Sequence, residues 1–455
     1  MTLRNSVFTA ALCLFSAGAL AGVSQDQAKR LGQELTPLGA TKAGNAEGTI
    51  PAWDGGLTEA PAAWQGPGNR YIEAFPDDEP KFVITADNMD QYRKHLTPGQ
   101  IALFEKWPET YKMPVYETRR TVAKPQWVYD KIRENAVTGE LVHDGEGVAG
   151  ATGGIPFPFP KATSNPAKAM IWNHKLRFRG IAVQGINTQI TTTPGGDMSL
   201  NKLQQDVWFN YNRQGIEPED LHNIAIYFLQ IVREPPRLAG TILLVHETID
   251  QVQEPRVAWT YNPGQRRIRR APNVAYDNPG TASDGLRTND QLDMFNGATD
   301  RYEWKVLGQK EIYIPYNSYA VHNETDYDKI VGKDHVNQDL TRYELHRVWV
   351  VEGNVKPGTS HIYNKRVFYI DEDSWHISAA DHYDARGNLW RVMEGHTIQN
   401  YGQHYQQPVM EAQYDLFSDR YLLMGMNNDS FEIRHDMDFD PSHFNPRNVQ
   451  RMSVK

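Results

Sequence analysis

The stretch Ile224-Ala-Ile-Tyr-Phe-Leu-Gln-Ile-Val232 consists mostly of the β-branched, aromatic and other apolar residues that are typical of a β-strand. Successive side chains of a strand point to opposite faces of the sheet, so Phe228 and Leu229 face opposite ways. Both faces of this strand are apolar, and such a strand must be covered on both sides. A helix or another chain segment would cover one face. The sequence leaves open whether protein or a bound apolar ligand covers the other.

Residues 241–249 repeat this two-sided apolar pattern, and other strand-like runs occur from residue 169 onward. Turn signals such as Asn262-Pro-Gly264 and Arg386-Gly-Asn388 separate several of these runs. Closely spaced strands joined by short polar turns predict an antiparallel meander, not alternating β–α–β units. We therefore expect a mainly β fold with some helix, built on a large curved sheet or open barrel. The predicted strands are residues 176–193, 202–211, 224–232, 241–250, 256–261, 266–271, 302–314, 342–352, 361–371, 374–383 and 389–397.

The N-terminal part of the chain has a different composition, since residues 35–70 contain seven Gly and four Pro. Such a segment cannot hold regular structure for long, so it is expected to lie across another surface as an irregular strap. Short helices are expected after the capping residues Ser24 and Thr97 and over residues 125–137. The expected regions are a signal peptide (1–21), an irregular N-terminal strap with short helices (22–168) and an antiparallel β domain (169–455).

Residues 1–21 have the three parts of a secretory signal peptide. Arg4 supplies the positive charge, residues 7–19 are apolar or small, and Ala19-Leu-Ala21 matches the small-x-small rule for cleavage. The apolar run is too short to span a membrane comfortably. The mature chain is therefore expected to begin near Gly22 and to work in the periplasm.

Composition excludes several classes of function. Cys13 is the one cysteine of the 455-residue chain and lies in the segment to be removed, which excludes disulfides, cysteine nucleophiles and thiolate metal sites. Removal of Arg4 takes the net charge from −9 to −10. An acidic chain without a long basic run argues against nucleic acid as a partner. The mean hydropathy is −0.62, yet 22 Tyr, 11 Trp and 16 Phe supply apolar surface for a core.

The sequence contains no catalytic signature in a suitable context. Gly145-Glu-Gly-Val-Ala-Gly150 matches GxGxxG, but the proline-rich segment 153–160 follows where a dinucleotide site needs a helix. The HExxH and GxSxG motifs are absent. We therefore expect no enzyme, no cofactor and no metal site. A periplasmic hydrolase of lipid or glycan is an alternative that requires His376, His382 and Asp384 to meet in an exposed cleft.

Arg266, Arg267, Arg269 and Arg270 form the densest basic cluster. On a strand, Arg267 and Arg269 share one face. One interpretation is that these two side chains contact an anionic head group or an acidic partner. The other is that they protect an edge strand from aggregation.

Seven segments form a specific combination, although no single one is specific. They are Leu31-Gly-Gln-Glu-Leu-Thr-Pro-Leu-Gly-Ala40, 43–53, Gly153-Gly-Ile-Pro-Phe-Pro-Phe-Pro160, Ile171-Trp-Asn-His174, Asp284-Gly-Leu286, 290–297 and Glu311-Ile-Tyr-Ile-Pro-Tyr-Asn317. Together they resemble a family of exported proteobacterial proteins of unknown function, which is grouped with the LolA/LolB-like superfamily of outer-membrane lipoprotein-sorting proteins. The resemblance covers nearly the whole mature chain.

The resemblance implies a half-open antiparallel β-barrel with helices over its concave face and an apolar cavity between them. In that superfamily the cavity receives acyl chains. Members of the family are often encoded near outer-membrane proteins and RND-type exporters, which implies a role in transport. The family has no agreed ligand or catalytic residues, so the resemblance assigns no site.

From these observations we expect a periplasmic carrier or accessory protein that binds a hydrophobic, lipid-like molecule between the inner and outer membranes. The alternative is a structural docking partner of an outer-membrane or RND-type transport complex, which would use the strap and the arginines at 266–270. The residues expected to line the ligand site are Phe228, Leu244, Trp259, Trp304, Trp349, Phe368 and Trp375.

Overall fold

The computed structural model describes residues 22–272, 274, 276–430, 433–435 and 437–452. The expected signal peptide, residues 1–21, lies outside the described residues. In the part of the chain that is described, no helix has both the length and the apolar composition needed to cross a membrane.

β-Strands dominate the fold, and sixteen of the described strands form one sheet. The strands are β1 (Phe82–Ile84), β2 (Met113–Val115), β3 (Glu140–Val142), β4 (Gly147–Ala149), β5 (Ala182–Thr192), β6 (Met198–Trp208), β7 (Ile224–Glu234), β8 (Ile242–Thr248), β9 (Val257–Asn262), β10 (Arg267–Arg270), β11 (Tyr302–Pro315), β12 (Tyr343–Val355), β13 (Lys365–Asp371), β14 (Ile377–Tyr383), β15 (Leu389–Asn400), β16 (Tyr405–Asp415), β17 (Arg420–Met426) and β18 (Ile433–Arg434). Strands β3 and β4 pair with each other as a separate hairpin.

The sheet consists of two antiparallel meanders. One runs from β5 to β10 and the other from β11 to β17, and antiparallel pairing of β17 with β5 joins them. Strands β1 and β2 extend the sheet beside β12, where Val115 and Tyr343 form a parallel bridge, and β18 pairs with β5. The strand order begins at β1 and ends at β10 without closing. The expected fold class, a large antiparallel half-open barrel with few helices, is confirmed.

The helices are few and short, and two of the predicted helix starts are confirmed. They are α1 (Gln25–Ala28), α2 (Pro98–Lys106), α3 (Gln126–Thr138), α4 (Pro166–Leu176), α5 (Tyr319–Asn323), α6 (Tyr327–Ile330) and α7 (Pro446–Met452). Ser24 caps α1, and Thr97 and Gln100 form a capping box at α2, as their spacing predicts. Helix α3 begins and ends one residue later than the predicted span of 125–137.

Helix α4 plugs the concave side of the sheet. One side of α4, with Met170 and Ile171, packs against Phe368 of β13. Another side, with Trp172, packs against Ala225 of β7. Because the helix contacts both meanders, nearly all of its residues are buried. The predicted strand at 176–193 is therefore too long at its start, since Leu176 ends α4 and β5 begins at Ala182.

The Gly- and Pro-rich part of the N-terminal region packs against other parts of the chain without regular structure. Residues 42–80 contain no helix or strand. Trp53 donates a hydrogen bond to the Val122 carbonyl oxygen at 3.1 Å, and the Trp64 ring stacks on Tyr71 at 5.4 Å. The expected boundary between residues 168 and 169 falls inside α4, and β1 and β2 from the N-terminal region belong to the main sheet.

Candidate ligand-binding cavity

The two apolar faces of β7 are covered differently. Its outer face carries Tyr227 and Leu229, which are 8% and 0% exposed. Its inner face carries Ile226 and Phe228, which are partly exposed although the strand lies inside the sheet. Strand β8 repeats the arrangement with Leu244 outside and Leu243 inside. The two-sided pattern in the sequence therefore corresponds to one covered face and one face that borders a cavity.

The C-terminal segment, residues 437–452, covers the outer face. Phe439, Phe444 and Val449 pack in one apolar cluster with Leu229 and Leu244. The Phe444 carbonyl oxygen lies 2.7 Å from Nε2 of His246, which fixes the segment on β8. The covering of this face is thus complete without a ligand.

The inner face borders a cavity with an empty volume of about 1730 Å³, including the space at its open side. The cavity volume proper is about 260 Å³, close to the lower end of the ~300–1,000 Å³ that is common for pockets that bind small ligands. The apolar part of the wall comes from side chains on β5 to β8, namely Val183, Leu203, Val207, Phe228, Leu243 and Val245. Alternation along the strands brings these side chains to one face.

Helix α4 adds Trp172 and Leu176 to the cavity wall, and Phe209, which directly follows β6, adds a third apolar side chain. Asn165 begins the helix by accepting a hydrogen bond from the Lys168 amide at 3.1 Å. One turn after Trp172, the ammonium group of Lys175 lies 4.3 Å from the Trp172 ring centre. Apolar surface therefore faces the cavity from both the sheet and the helix.

One charged group on the wall, Glu247 of β8, is fully paired. Arg256 donates to its carboxylate, and the Lys175 ammonium lies 3.5 Å from it. Burial by itself would raise the pKa of Glu247, but the two cations outweigh burial and lower that pKa. Burial lowers the pKa of Lys175 to about 8.

A second charged cluster surrounds Asp293 in the loop between β10 and β11. Arg177 donates to both of its carboxylate oxygens, and Nη1 of Arg179 lies 2.6 Å from Oδ2. Burial opposes ionisation here too, yet these guanidinium groups hold the pKa of Asp293 well below its usual range. Arg179 also lies over the Phe209 ring at 4.9 Å. Asp293 is therefore ionised and neutralised within the protein.

Arg287 and Glu411 also line the cavity, and both are short of partners. Oε2 of Glu411 accepts one hydrogen bond, from the Met294 amide at 3.1 Å. Burial, together with the charge of Asp293, raises the pKa of Glu411 to about 7. Arg287 is 5% exposed, and its Nη1 donates to the Thr288 carbonyl oxygen at 3.2 Å. Burial lowers the pKa of Arg287 to about 10.

The residues predicted from the sequence to line a ligand site lie in three places. Phe228 lies on the cavity wall. Leu244 and Trp259 pack on the outer face of the sheet with the C-terminal segment. The other four belong to the core between the sheet, α4 and the N-terminal region, and they are Trp304, Trp349, Phe368 and Trp375.

Arg267 and Arg269 are exposed on β10, the last strand in the sheet order. The edge position agrees with the protective role that the sequence left open for them. They lie on the far side of β9 from the cavity-lining strand β8, so the structure does not bring them to the cavity wall.

The residues of the hydrolase alternative are not brought together in a cleft. His376 is buried beside His174 and Arg177, with the two imidazole ring centres 5.8 Å apart. His382 is buried with its ring centre 4.6 Å from that of Tyr363. Asp384 lies in an exposed turn, where its side chain accepts hydrogen bonds from Asn388.

Another buried cluster has ligand types that suit a metal ion. His346, Asp371 and Asp373 each place one ligand atom within 4.8 Å of the other two. Protein groups already use these carboxylates, because Arg120 donates to both oxygens of Asp373 at 2.6 and 2.9 Å and Ser374 donates to Asp371. The cluster is a hydrogen-bond network that fixes the turn between β13 and β14.

Four polar residues of the cavity were not predicted from the sequence, namely Lys175, Arg179, Arg287 and Glu411. A usable signal existed, because Arg287 directly follows the segment Asp284-Gly-Leu286 and Asp293 lies within 290–297. Both segments belong to the combination that carried the family resemblance. The second of these segments contributes Leu292, Asp293 and Asn296 to the cavity wall.

Comparison with known proteins agrees with that resemblance. A family model described as "Protein of unknown function (DUF1329)" matches residues 83–450. An uncharacterized protein of Pseudomonas aeruginosa is 48% identical over 448 residues, which cover 98% of this chain and 97% of that protein.

Solved structures with a similar arrangement have low sequence identity. A putative outer membrane lipoprotein-sorting protein domain from Vibrio parahaemolyticus matches with a TM-score of 0.44 and 14% identity, over 62% of this chain and 97% of that one. A DUF1329 family protein from Desulfovibrio piger matches with a TM-score of 0.41 and 14% identity, over 59% and 92%. A LolA superfamily protein from Nitrosomonas europaea matches with a TM-score of 0.38 and 15% identity, over 62% and 98%.

Proposed function

The chain belongs to the DUF1329 family, and we propose that it is a periplasmic carrier or accessory protein that binds a hydrophobic, lipid-like molecule in the cavity between β5–β8 and α4. The observation that supports this proposal most is the contrast between the two faces of β7 and β8. The outer face is sealed by the C-terminal segment, whereas apolar side chains on the inner face are left partly exposed to the cavity.

Apolar side chains that remain exposed inside a fold gain free energy when an apolar ligand covers them. Burial of one methylene group gains ~0.8 kcal/mol, so an acyl chain of about sixteen carbons gains roughly 12 kcal/mol before losses. Immobilisation of the ligand and of protein side chains offsets several kcal/mol of this gain. Micromolar or tighter binding then needs no catalytic group, and the proposal assigns binding without a chemical step.

The place of action follows from the expected export signal in residues 1–21 and from the family resemblance. A periplasmic protein with an open, apolar-lined cavity is suited to receive its ligand at one membrane and release it at the other. The proposed partners are an RND-type transporter and an outer-membrane protein.

A second candidate function, docking to a transport complex, is favoured by the edge strand β10. Its arginines at 267 and 269 are exposed, and its outer edge has no neighbouring strand among the described residues. Charge reversal at both positions would weaken co-purification with a partner and leave ligand binding unchanged. That outcome would distinguish docking to a transport complex from transport of a bound ligand.

Titration of the purified mature protein with the apolar fluorescent probe 1-N-phenylnaphthylamine tests the carrier proposal. We expect saturable fluorescence enhancement with one site per protein and competition by long-chain fatty acids. A protein that gives no enhancement, or enhancement that lipids do not displace, contradicts the proposal.

A further inference from the structure

We propose that the ligand of the cavity carries an anionic head group, and that Arg287, assisted by Arg179, binds that group. This inference rests on the proposed carrier function, because it names the chemical class of the ligand. The ligand is then an amphiphile with an acyl chain along the wall of β6–β8 and a carboxylate or phosphate at the guanidinium groups.

Arg287 is a buried cation with unused hydrogen-bonding capacity. A guanidinium group has five N–H donors. Here Nη1 donates to the neighbouring Thr288 carbonyl oxygen, Nε has no partner, and Glu411 and Asp290 act on the charge without forming an ion pair with it. A charge buried without a partner is costly, so the site is one that an anion stabilises.

Gly280 keeps the guanidinium group of Arg287 in place. A Cβ atom at position 280 would overlap the Cζ and Nη1 atoms of Arg287. The two residues are also held by their backbones, since the Gly280 amide donates to the Arg287 carbonyl oxygen at 3.0 Å. The loop is therefore built around a close approach of backbone and guanidinium group.

Each of the other cations of the cavity has a carboxylate partner, which it shares with a second cation. Arg256 and Lys175 pair with Glu247, and Arg177 and Arg179 pair with Asp293. Arg179 retains an unpartnered Nε. Arg179 therefore offers a second cation on the cavity wall, and like Arg287 it interacts electrostatically with Glu411.

The balance of charge on the wall also favours an anion. Four cationic residues line the cavity (Lys175, Arg179, Arg256 and Arg287) against three acidic ones (Glu247, Asp293 and Glu411). Glu411 interacts electrostatically with both Arg179 and Arg287. Its raised pKa, about 7, means that it supplies only part of a negative charge near neutral pH.

Carboxylates and phosphates are the anions that match the planar fork of a guanidinium group. Both occur on amphiphiles with a single acyl chain, namely fatty acids and lysophospholipids. The shared chemistry is an anionic oxygen pair on a single acyl chain.

The experiment measures displacement of 1-N-phenylnaphthylamine from the mature protein at pH 8 by dodecanoate and by dodecanol, which differ only in the head group. We expect dodecanoate to bind about tenfold or more tightly than dodecanol, as loss of hydrogen bonds to a charged group predicts. Lysophosphatidylglycerol is the second anion, and the tighter of the two anions identifies the head-group class.

Variants of Arg287 test whether this residue causes the preference for dodecanoate over dodecanol. Arg287→Gln should remove the preference for dodecanoate and leave the affinity for dodecanol unchanged, and Arg287→Lys should retain part of the preference. Arg267→Gln, at an exposed arginine on β10, is the control and should change neither affinity. Thermal unfolding of each variant checks that it folds. If Arg287→Gln does not fold, Arg287→Lys supplies the test.

Equal binding of dodecanoate and dodecanol by the wild-type protein overturns this inference and leaves the carrier proposal intact. Persistence of the preference in Arg287→Gln also overturns it. Failure of every amphiphile and of the probe to bind overturns the carrier proposal and this inference together.

Discussion

Leu243 and Leu244 are neighbours on β8 whose side chains face opposite sides of the sheet. Leu243 lines the cavity and is partly exposed, whereas Leu244 is 0% exposed beneath the C-terminal segment. These two leucines thus mark the two faces of the sheet, one that borders the cavity and one that packs in the core.

This pair gives a matched test of the cavity. Leu244→Ala leaves a hole in a packed core and should lower the free energy of unfolding by about 2–5 kcal/mol without changing probe affinity. Leu243→Ala removes apolar surface from the cavity wall and should weaken probe binding by ~3- to 30-fold with a smaller loss of stability. Urea unfolding and probe titration of both variants measure the two effects. Equal effects of both substitutions on binding would contradict the assignment of the faces.

Binding of an anionic amphiphile should depend on pH through Glu411. The charged groups that act on this carboxyl are Arg177, Arg179, Arg287 and Asp293. Because its pKa is raised to about 7, it is mostly protonated at pH 6 and mostly ionised at pH 8. We expect lysophosphatidylglycerol to bind at least ~3-fold more tightly at pH 6, since the negative charge near Arg287 is then lost.

The variant Glu411→Gln separates this carboxyl from other titrating groups. Lys175, whose pKa is about 8, gains a proton over the same range and favours anions in the same direction. At pH 8 Glu411→Gln should bind more tightly than the wild-type protein, and its affinity should depend less on pH. An unchanged pH profile in this variant would assign the effect to other groups.

Gly99→Ala should destabilise the protein, although helix propensity alone predicts that it stabilises α2. Gly99 lies in the first turn of α2, where Gly→Ala ordinarily stabilises a helix by up to about 1 kcal/mol. Here a Cβ would overlap Oδ1 of Asp381 and lie 2.7 Å from Cγ1 of Val392. Gly99→Ala should therefore lower the free energy of unfolding by about 1–3 kcal/mol.

The control for this prediction is Gly195→Ala. A Cβ at Gly195 would lie 3.6 Å or more from its nearest neighbours, which is ordinary contact. Its urea midpoint should stay close to that of the wild-type protein. A Gly99→Ala variant as stable as Gly195→Ala would show that α2 can shift away from β14 and β15.

Asp381 should make stability fall as pH rises. Burial raises the pKa of its carboxyl to about 7, and Tyr369 donates a hydrogen bond to it at 3.0 Å. The unfolded chain loses this proton near the usual pKa of Asp, so the folded state is penalised increasingly between about pH 4 and pH 7. Asp381→Asn removes the penalty.

The Tm of Asp381→Asn should equal that of the wild-type protein near pH 4 and exceed it by at least ~2 °C at pH 8. Calorimetry across this range measures the difference. A gain in Tm that is the same at both pH values would mean that the carboxyl is ionised in the folded protein.

The strands with apolar alternation and clear turns could be predicted from the sequence. Strands β7 and β8 were found within two residues at each end, because their apolar residues are dense and β-branched. Strand β16 was missed, since Gln406, Glu411 and Gln413 interrupt its pattern. These side chains are buried and bond to distant residues, as when Gln413 donates to the Leu286 carbonyl oxygen at 2.6 Å. Such contacts have no local signal.

Helix α4 was not predicted from the sequence, for a related reason. A helix packed on all sides has no polar face, and its buried Lys168 and Asn173 find partners far along the chain, at Glu146 and Phe157. The cap at Asn165 followed by Pro166 was a local signal for its start.

For the cavity, apolar composition predicted that aromatic residues would be buried but not what would bury them. Trp375 and Phe228 have the same type of strand context in the sequence. The structure packs Trp375 against α4 and the N-terminal region and leaves Phe228 on the cavity wall. The difference depends on where α4 lies between the two meanders.

The most direct test of the central claim is mass spectrometry of an organic-solvent extract of the mature protein, purified from the periplasm without detergent, beside that of Val207→Trp. Val207 lies on the cavity wall, so a larger side chain there competes with a ligand for the same space. We predict a stoichiometric apolar molecule with an anionic head group in the wild-type extract and much less of it in the variant extract. A wild-type protein that is empty and also fails to bind lipid in vitro, or one that carries as much ligand as Val207→Trp, would contradict the claim that this cavity is the ligand site.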